Sequence, residues 1–216
     1  MRKKIIISIA ALLGVAVLVF GALFVIQLIR SQNEETPPAE TLVGPNLSKN
    51  YGACDLFDKA TVKTALGSAA NELQDPQNNG IVDGKKVGGG MEDLVFDSQV
   101  CIYGFAPGGT FEDGSGSGNG LTVLVAKYTN ETGPATFIAA IRDEPLIEEI
   151  TDLGDDAFYN ANTTATGPGA MYNFKLQVFK GKTLYEYTIR QPADAATYTA
   201  ESAKTALVTL AKAAKD

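Results

Sequence analysis

Apolar positions form one long, nearly uninterrupted block at the start of the chain and shorter alternating runs after about residue 51. The block is Ile5 to Ile29, with only Ser8 and Gln27 clearly polar inside it. A helix rises about 1.5 Å per residue, so such a run reaches about 37 Å. A bilayer core is about 30 Å thick, which predicts a membrane-spanning helix with some tilt. Gly14 and Gly21 are compatible with this, because glycine is common in membrane helices. No face of the run is polar, which argues against a buried helix of a soluble domain.

Arg2, Lys3 and Lys4 precede the run, and Glu34 and Glu35 follow shortly after Arg30. The positive-inside rule puts the N-terminus in the cytoplasm and the C-terminal bulk outside. The rival reading is a cleaved signal peptide, whose apolar region is about 7–15 residues and ends at small residues. This run ends Phe24-Val25-Ile26-Gln27-Leu28-Ile29, without a small-residue pair. The expected organisation is a cytoplasmic tail over 1–4, a span over 5–29, a linker over 30–50 and an extracytoplasmic domain over 51–216. The linker is polar and carries Pro37-Pro38, and it stands the domain off the membrane. With four residues before the span, a cytoplasmic output domain is not expected in this chain.

Beyond the linker the periodicity switches between helix and strand. Asp58 reads as an N-cap for a helix over Lys59 to Leu66, with Val62, Ala65 and Leu66 on one face and Gly67 as its stop. Asn71 to Gly90 contains Asp75-Pro76, Asn79-Gly80, Asp83-Gly84 and Gly88-Gly89-Gly90, and reads as loop. Strands are expected near Asp93 to Phe105 and over Leu121 to Tyr128, separated by a Gly/Ser loop. The second has apolar residues on both faces, as in a central strand covered on each side. Thr132 to Arg142 reads as a helix with Phe137, Ile138 and Ile141 as its apolar face. Asp155 to Asn160 is a short strand candidate. Ala170 to Phe179 and Thr183 to Gln191 form the clearest hairpin, around Lys180-Gly181. A last helix is expected over Ala195 to Ala214, burying Tyr198, Ala203, Leu207, Leu210 and Ala211. The order α-β-β-α-β-β-β-α predicts an α+β domain, an antiparallel sheet flanked by helices.

Composition narrows the chemistry. Of 18 Lys and Arg residues four lie at the apolar run, leaving 14 against 25 Asp and Glu beyond it, a balance of −11. Nucleic acid is therefore not an expected partner. The chain has no histidine, which removes the commonest general base, the Ser-His-Asp triad and most zinc sites. No cofactor or metal is expected. Cys54 and Cys101 are the only cysteines. An even count outside the membrane reads as one disulfide, with two free structural thiols as the alternative.

Cys54-Asp55-Leu56-Phe57, followed by a short helix ending Ala65-Leu66-Gly67, resembles the N-terminal signature of the LpqN-like group of actinobacterial cell-envelope lipoproteins of unknown function. Cys101-Ile102-Tyr103 is similar to that family's Cys-x-aromatic strand. Leu153-Gly154-Asp155-Asp156-Ala157 is similar to its Leu-Gly-Asp-x-Ala segment. The resemblance covers roughly Tyr51 to Ala211. It implies an α/β/α-layered domain of the Mog1/PsbP-like type, a disulfide between the matching cysteines and no known enzymatic activity. Family members often carry a lipobox cysteine, whereas this chain has an apolar span.

Other motifs weigh less. Asp113-Gly-Ser-Gly-Ser-Gly-Asn119-Gly has the oxygen-rich look of a calcium loop, but the twelfth position, where a bidentate Glu belongs, is Leu124. Gly181-Lys182-Thr183 sits in a hairpin turn rather than a phosphate-binding loop. No Ser-x-x-Lys sets up an acyl-enzyme. Asn46, Asn130 and Asn162 head glycosylation sequons by pattern alone. Glu144, Glu148, Glu149, Asp152, Asp155 and Asp156 form an acidic cluster, ordinarily a solvated helix end. Paired carboxylates also serve glycoside hydrolysis. Tyr172 with Phe174, and Tyr185 with Tyr187, lie on the hairpin as i, i+2 pairs, ordinarily packing but also a candidate aromatic wall for a ligand.

The leading expectation is a non-enzymatic, membrane-anchored binding or interaction domain whose partner is an envelope component or another protein. An envelope hydrolase using the Glu144–Asp156 carboxylates is the alternative. A sensory subunit pairing through Gly14 and Gly21 is a third.

Overall fold

The structure is a computed structural model and describes residues 50–86, 95–105, 119–130, 132–167 and 169–215. The apolar run, the linker, the Asn46 sequon and the start of the Gly/Ser loop at Asp113 lie outside these residues. No helix among the described residues is long and apolar enough to cross a membrane.

The fold is α+β. Among the described residues seven antiparallel strands form one sheet: β1 (Gln77–Lys86), β2 (Val95–Gly104), β3 (Gly120–Tyr128), β4 (Glu148–Glu149), β5 (Asp156–Asn162), β6 (Met171–Lys180) and β7 (Thr183–Pro192). Their spatial order is β1-β2-β3-β7-β6-β5-β4. The α-helices among the described residues are α1 (Lys59–Leu66), α2 (Gly133–Arg142) and α3 (Ala200–Lys212).

Alternation along the strands sorts side chains onto two faces. Cys101, Tyr103, Leu121, Val123, Val125, Tyr159, Phe174, Leu176, Tyr187 and Ile189 point to a first face, where they meet Val62 and Leu66 of α1 and Ala203, Leu207 and Leu210 of α3. Ala126, Tyr128, Phe158, Phe179 and Leu184 point to the second face and meet Ile138 and Ile141 of α2. β3 lies inside the sheet and supplies both clusters, as its two apolar faces predict.

Local signals place the helices. Asp58 Oδ1 accepts from the Thr61 amide at 2.7 Å, capping α1. Gly67 ends it at φ 61°, which glycine adopts without strain. Thr199 and Ser202 cap α3 reciprocally. α3 begins five residues later than the pattern predicts, since Ala195 closes a 3-10 turn and Tyr198 precedes the helix. Tyr198 is nonetheless buried, and its hydroxyl donates to the Leu66 carbonyl at 2.6 Å, tying α3's entry to the end of α1.

The β6–β7 hairpin closes through Gly181-Lys182, one residue beyond the predicted turn. Gly181 has φ 56° and Lys182 does not share the positive sign, the pattern of a two-residue II′ turn.

The loop expected over Asn71 to Gly90 is corrected at Gln77–Lys86, which is the edge strand β1. Its turn-forming dipeptides fall where the register with β2 shifts, between Asn78 and Gly80 and between Val82 and Lys85. Bulges absorb residues that otherwise signal turns. At the other edge β4 is two glutamates, too short to leave a periodic signal. Bulges and charge on edge strands discourage pairing with further chains.

Tyr103 is fully buried, yet its hydroxyl has no hydrogen-bond partner among the described residues. Burial, with Asp55 adding to it, pushes its pKa up to about 12. An unpaired buried hydroxyl costs about 1–3 kcal/mol of desolvation. Tyr103→Phe is therefore expected to stabilise the protein by about 1 kcal/mol in urea unfolding. A loss of 1 kcal/mol or more means the hydroxyl is bonded after all.

Gly154 is constrained on two counts. It has φ 69°, and a Cβ there would lie 2.5 Å from the Phe179 carbonyl oxygen and 2.8 Å from Val178 Cγ1. The left-handed region costs a non-glycine about 1–2 kcal/mol before any clash. Gly154→Ala is expected to destabilise by about 2 kcal/mol or more, read as a lower thermal midpoint. An unchanged midpoint would show that the 153–155 turn readily moves away from β6.

Candidate functional site

Cys54 and Cys101 form a disulfide, with Cα atoms 5.2 Å apart, and neither is a free thiol. It joins the segment before α1 to the inner face of β2. Gln99, two residues before Cys101 on the same face, accepts from the amides of Tyr51 and Ala53 through Oε1 at 2.9 and 3.1 Å. Covalent and hydrogen-bonded ties thus fix one short segment over the sheet.

The four aromatic residues share the first face. Phe174 and Tyr187 are inside the core, with Tyr187 5.9 Å from Phe57, centroid to centroid. Tyr172 and Tyr185 are half-buried at its margin, and Tyr172 meets Phe174 edge-on at 6.5 Å. Two of the four therefore have surface to present to a ligand.

The acidic cluster is spread over several pairings. Arg142 donates from Nε to Glu149 Oε1 at 2.8 Å and from Nη2 to Asp156 Oδ1 at 2.7 Å. Its guanidinium stands 5.5 Å from the Phe158 ring centre. Asp155 Oδ2 accepts from the Gly181 amide at 2.6 Å, joining the turn before β5 to the hairpin. Glu148 pairs with Lys204 at 3.1 Å. A cavity of about 270 Å³ adjoins, lined by Arg142 and by the segment from Glu149 to Ala157. Among the described residues no group of three or more His, Cys, Asp or Glu side chains is arranged to hold a metal ion.

Sequence reasoning missed the other half of the second sheet face. α2 covers the end of that face that carries Ala126, Phe158, Phe179 and Leu184. Toward the opposite end two rows cross the strands. One pairs Ile102, Thr122, Thr188, Lys175 and Asn160 in turn. The next pairs Gly104, Gly120, Arg190, Asn173 and Asn162. Among the described residues neither row joins either hydrophobic cluster, although Ile102 itself is buried. Thr122, Thr188, Lys175, Asn160, Arg190 and Asn173 are all half-buried. Lys175 lies 3.7 Å from Glu186 Oε2, and Gln177 Nε2 donates to the same oxygen at 2.9 Å. Glu144, at the end of α2, is close enough to feel Lys175 and Glu186, although partial desolvation is what most raises its pKa. The outward register of β7, Glu186-x-Thr188-x-Arg190, is the signal that could have revealed this surface.

Comparison with family models, with curated proteins and with solved structures finds no match for this chain.

Proposed function

We propose that this chain is a membrane-tethered, extracytoplasmic binding domain without chemistry of its own. The observation that carries the binding reading is the polar half of the second sheet face. It sets threonine, asparagine, lysine and arginine side chains on central strands, where backbone pairing on both sides holds their spacing rigid. Sites on strands position ligand groups more precisely than sites on loops. The half-buried Tyr172 and Tyr185 offer a second, aromatic contact on the first face. The partner class is a component of the cell envelope or another envelope protein.

Two features support the location. The Ile5–Ile29 run has the length and flanking charge of a signal anchor. The Cys54–Cys101 disulfide suits an oxidising compartment. In this reading the domain is a tethered counterpart of the LpqN-like envelope lipoproteins, and its helices on both sheet faces suit the Mog1/PsbP-like layering. A hydrolase reading would draw on the cavity beside Asp155 and Asp156. Their engagement with Gly181 and Arg142 makes it the weaker one.

The location is tested with a C-terminal epitope tag and protease added to intact spheroplasts of a bacterial host. The tag is expected to be cleaved without lysis; protection until lysis would overturn the topology. Binding is tested by passing envelope lipid, glycan and protein fractions over the immobilised full chain. No retention of any fraction would remove the basis of the binding reading.

A further inference from the structure

Arg190 stands on the central strand β7, two residues before its end, paired by backbone with Gly120 on one side and Asn173 on the other. Its Nε is buried and has no hydrogen-bond partner among the described residues. Burial pulls its pKa below the ordinary guanidinium value, and no carboxylate among the described residues offsets it. Lys175, the other cation on this half-face, is matched by Glu186. A half-buried guanidinium without a counter-charge is costly, and an apolar side chain would pack there at lower cost. Its planar fork is suited to two oxygens of one carboxylate or phosphate.

We propose that Arg190 anchors an oxyanion site on this half-face, binding a single carboxylate or phosphate group of a small, hydroxyl-bearing ligand. The proposal rests on the reading that the polar half-face binds a ligand, and adds the chemistry of that ligand. Thr188 lies two residues before Arg190 on the same side of β7, Thr122 is its cross-strand partner, and Asn173 is Arg190's own. Their hydroxyl and amide groups supply both donors and acceptors for ligand hydroxyls. The ligand carries one negative group rather than many, because the chain outside the apolar run has a balance of −11 and repels a polyanion. A single anion held within bonding distance of Arg190 is little affected, since charges beyond about 8 Å are screened at physiological salt.

The test uses the full chain in a neutral detergent and follows arginine Nε–H resonances by NMR during titration. The probes are glucuronate, glucose and inorganic phosphate. Arg190→Met removes the charge, Arg190→Lys keeps charge but loses the fork, and Lys212→Met, at an exposed position of α3, is the control. Wild type is expected to bind glucuronate saturably, at least about ten-fold tighter than glucose, the scale of one charge-assisted hydrogen bond. Arg190→Met and Arg190→Lys are expected to lose most of that difference, and Lys212→Met none of it. A saturable, Arg190-dependent response to phosphate alone also supports the site and identifies phosphate as its group. Arg190→Lys keeps the test valid if Arg190→Met fails to fold. Equal binding of glucose and glucuronate, unchanged by Arg190 substitution, overturns the oxyanion site while leaving the half-face as a binding surface. No saturable response to any probe overturns the oxyanion site and leaves the envelope-fraction experiment to decide the broader reading.

Discussion

Replacing both Cys54 and Cys101 by alanine is expected to lower stability by about 4 kcal/mol, the chain-entropy value for a loop of this length. The sequence separation is 47 residues, and the loop includes α1, β1 and β2 as far as Cys101. For a domain of this size that corresponds to a fall in thermal midpoint of roughly 8–16 °C. Without the bond, the Gly52–Phe57 segment is held over the sheet by Gln99 and by burial of Ala53, Leu56 and Phe57. Those ties act only in the folded state, whereas the disulfide also restricts the unfolded chain. The measurement is urea unfolding of the full chain in detergent, with and without reductant. Reductant should bring the wild type to nearly the midpoint of the double variant and leave the variant unchanged. A difference below about 1 kcal/mol would mean that the unfolded chain keeps the two cysteines near each other anyway.

How far the fold was legible depended on whether local chemistry or distant pairing decided each element. Asp58 and Gly67 bound α1 in the sequence as they do in space, because capping is settled within a few residues. The β6–β7 hairpin is legible for the same reason: alternation and one glycine define it. β1 was hidden because Asn79-Gly80 and Asp83-Gly84 carry strong turn signals that a bulged edge strand tolerates. The placement of β3 against β7 was not legible, since it joins strands separated by α2, β4, β5 and β6. That pairing sets the candidate site, because it brings Thr122 beside Thr188 and Gly120 beside Arg190. The carboxylates stood out in sequence as a cluster, and folding divides them among Arg142, Lys204 and the Gly181 amide. The aromatic pairs show the same limit, since alternation put Phe174 and Tyr172 on one face without showing which of them the helices would bury.

Gln191→Met is expected to cost about 3 kcal/mol, although it preserves side-chain length and adds apolar character at a site only 1% exposed. Gln191 occupies an inward position of β7, two residues after Ile189 and four after Tyr187, where the alternation calls for an apolar residue. Its amide is used at both ends. Nε2 donates to the Tyr198 carbonyl at 2.9 Å, and Oε1 accepts from the amides of Thr197 and Tyr198 at 2.8 and 3.2 Å. One side chain therefore satisfies three backbone groups in the connection between β7 and α3. Methionine can bond none of them. Each polar group left buried without a partner costs about 1–3 kcal/mol, and the gain from one more apolar side chain does not offset three. The connection also positions Tyr198, whose hydroxyl reaches the end of α1, so its loosening should weaken α3 docking as well. Hydrogen exchange separates the two consequences. The Thr197 and Tyr198 amides should lose protection first and beyond the global effect, and the α3 amides should follow the global stability. A cost below 1 kcal/mol, with protection at Thr197 and Tyr198 intact, would mean that water replaces the glutamine and that the β7–α3 connection holds itself in place.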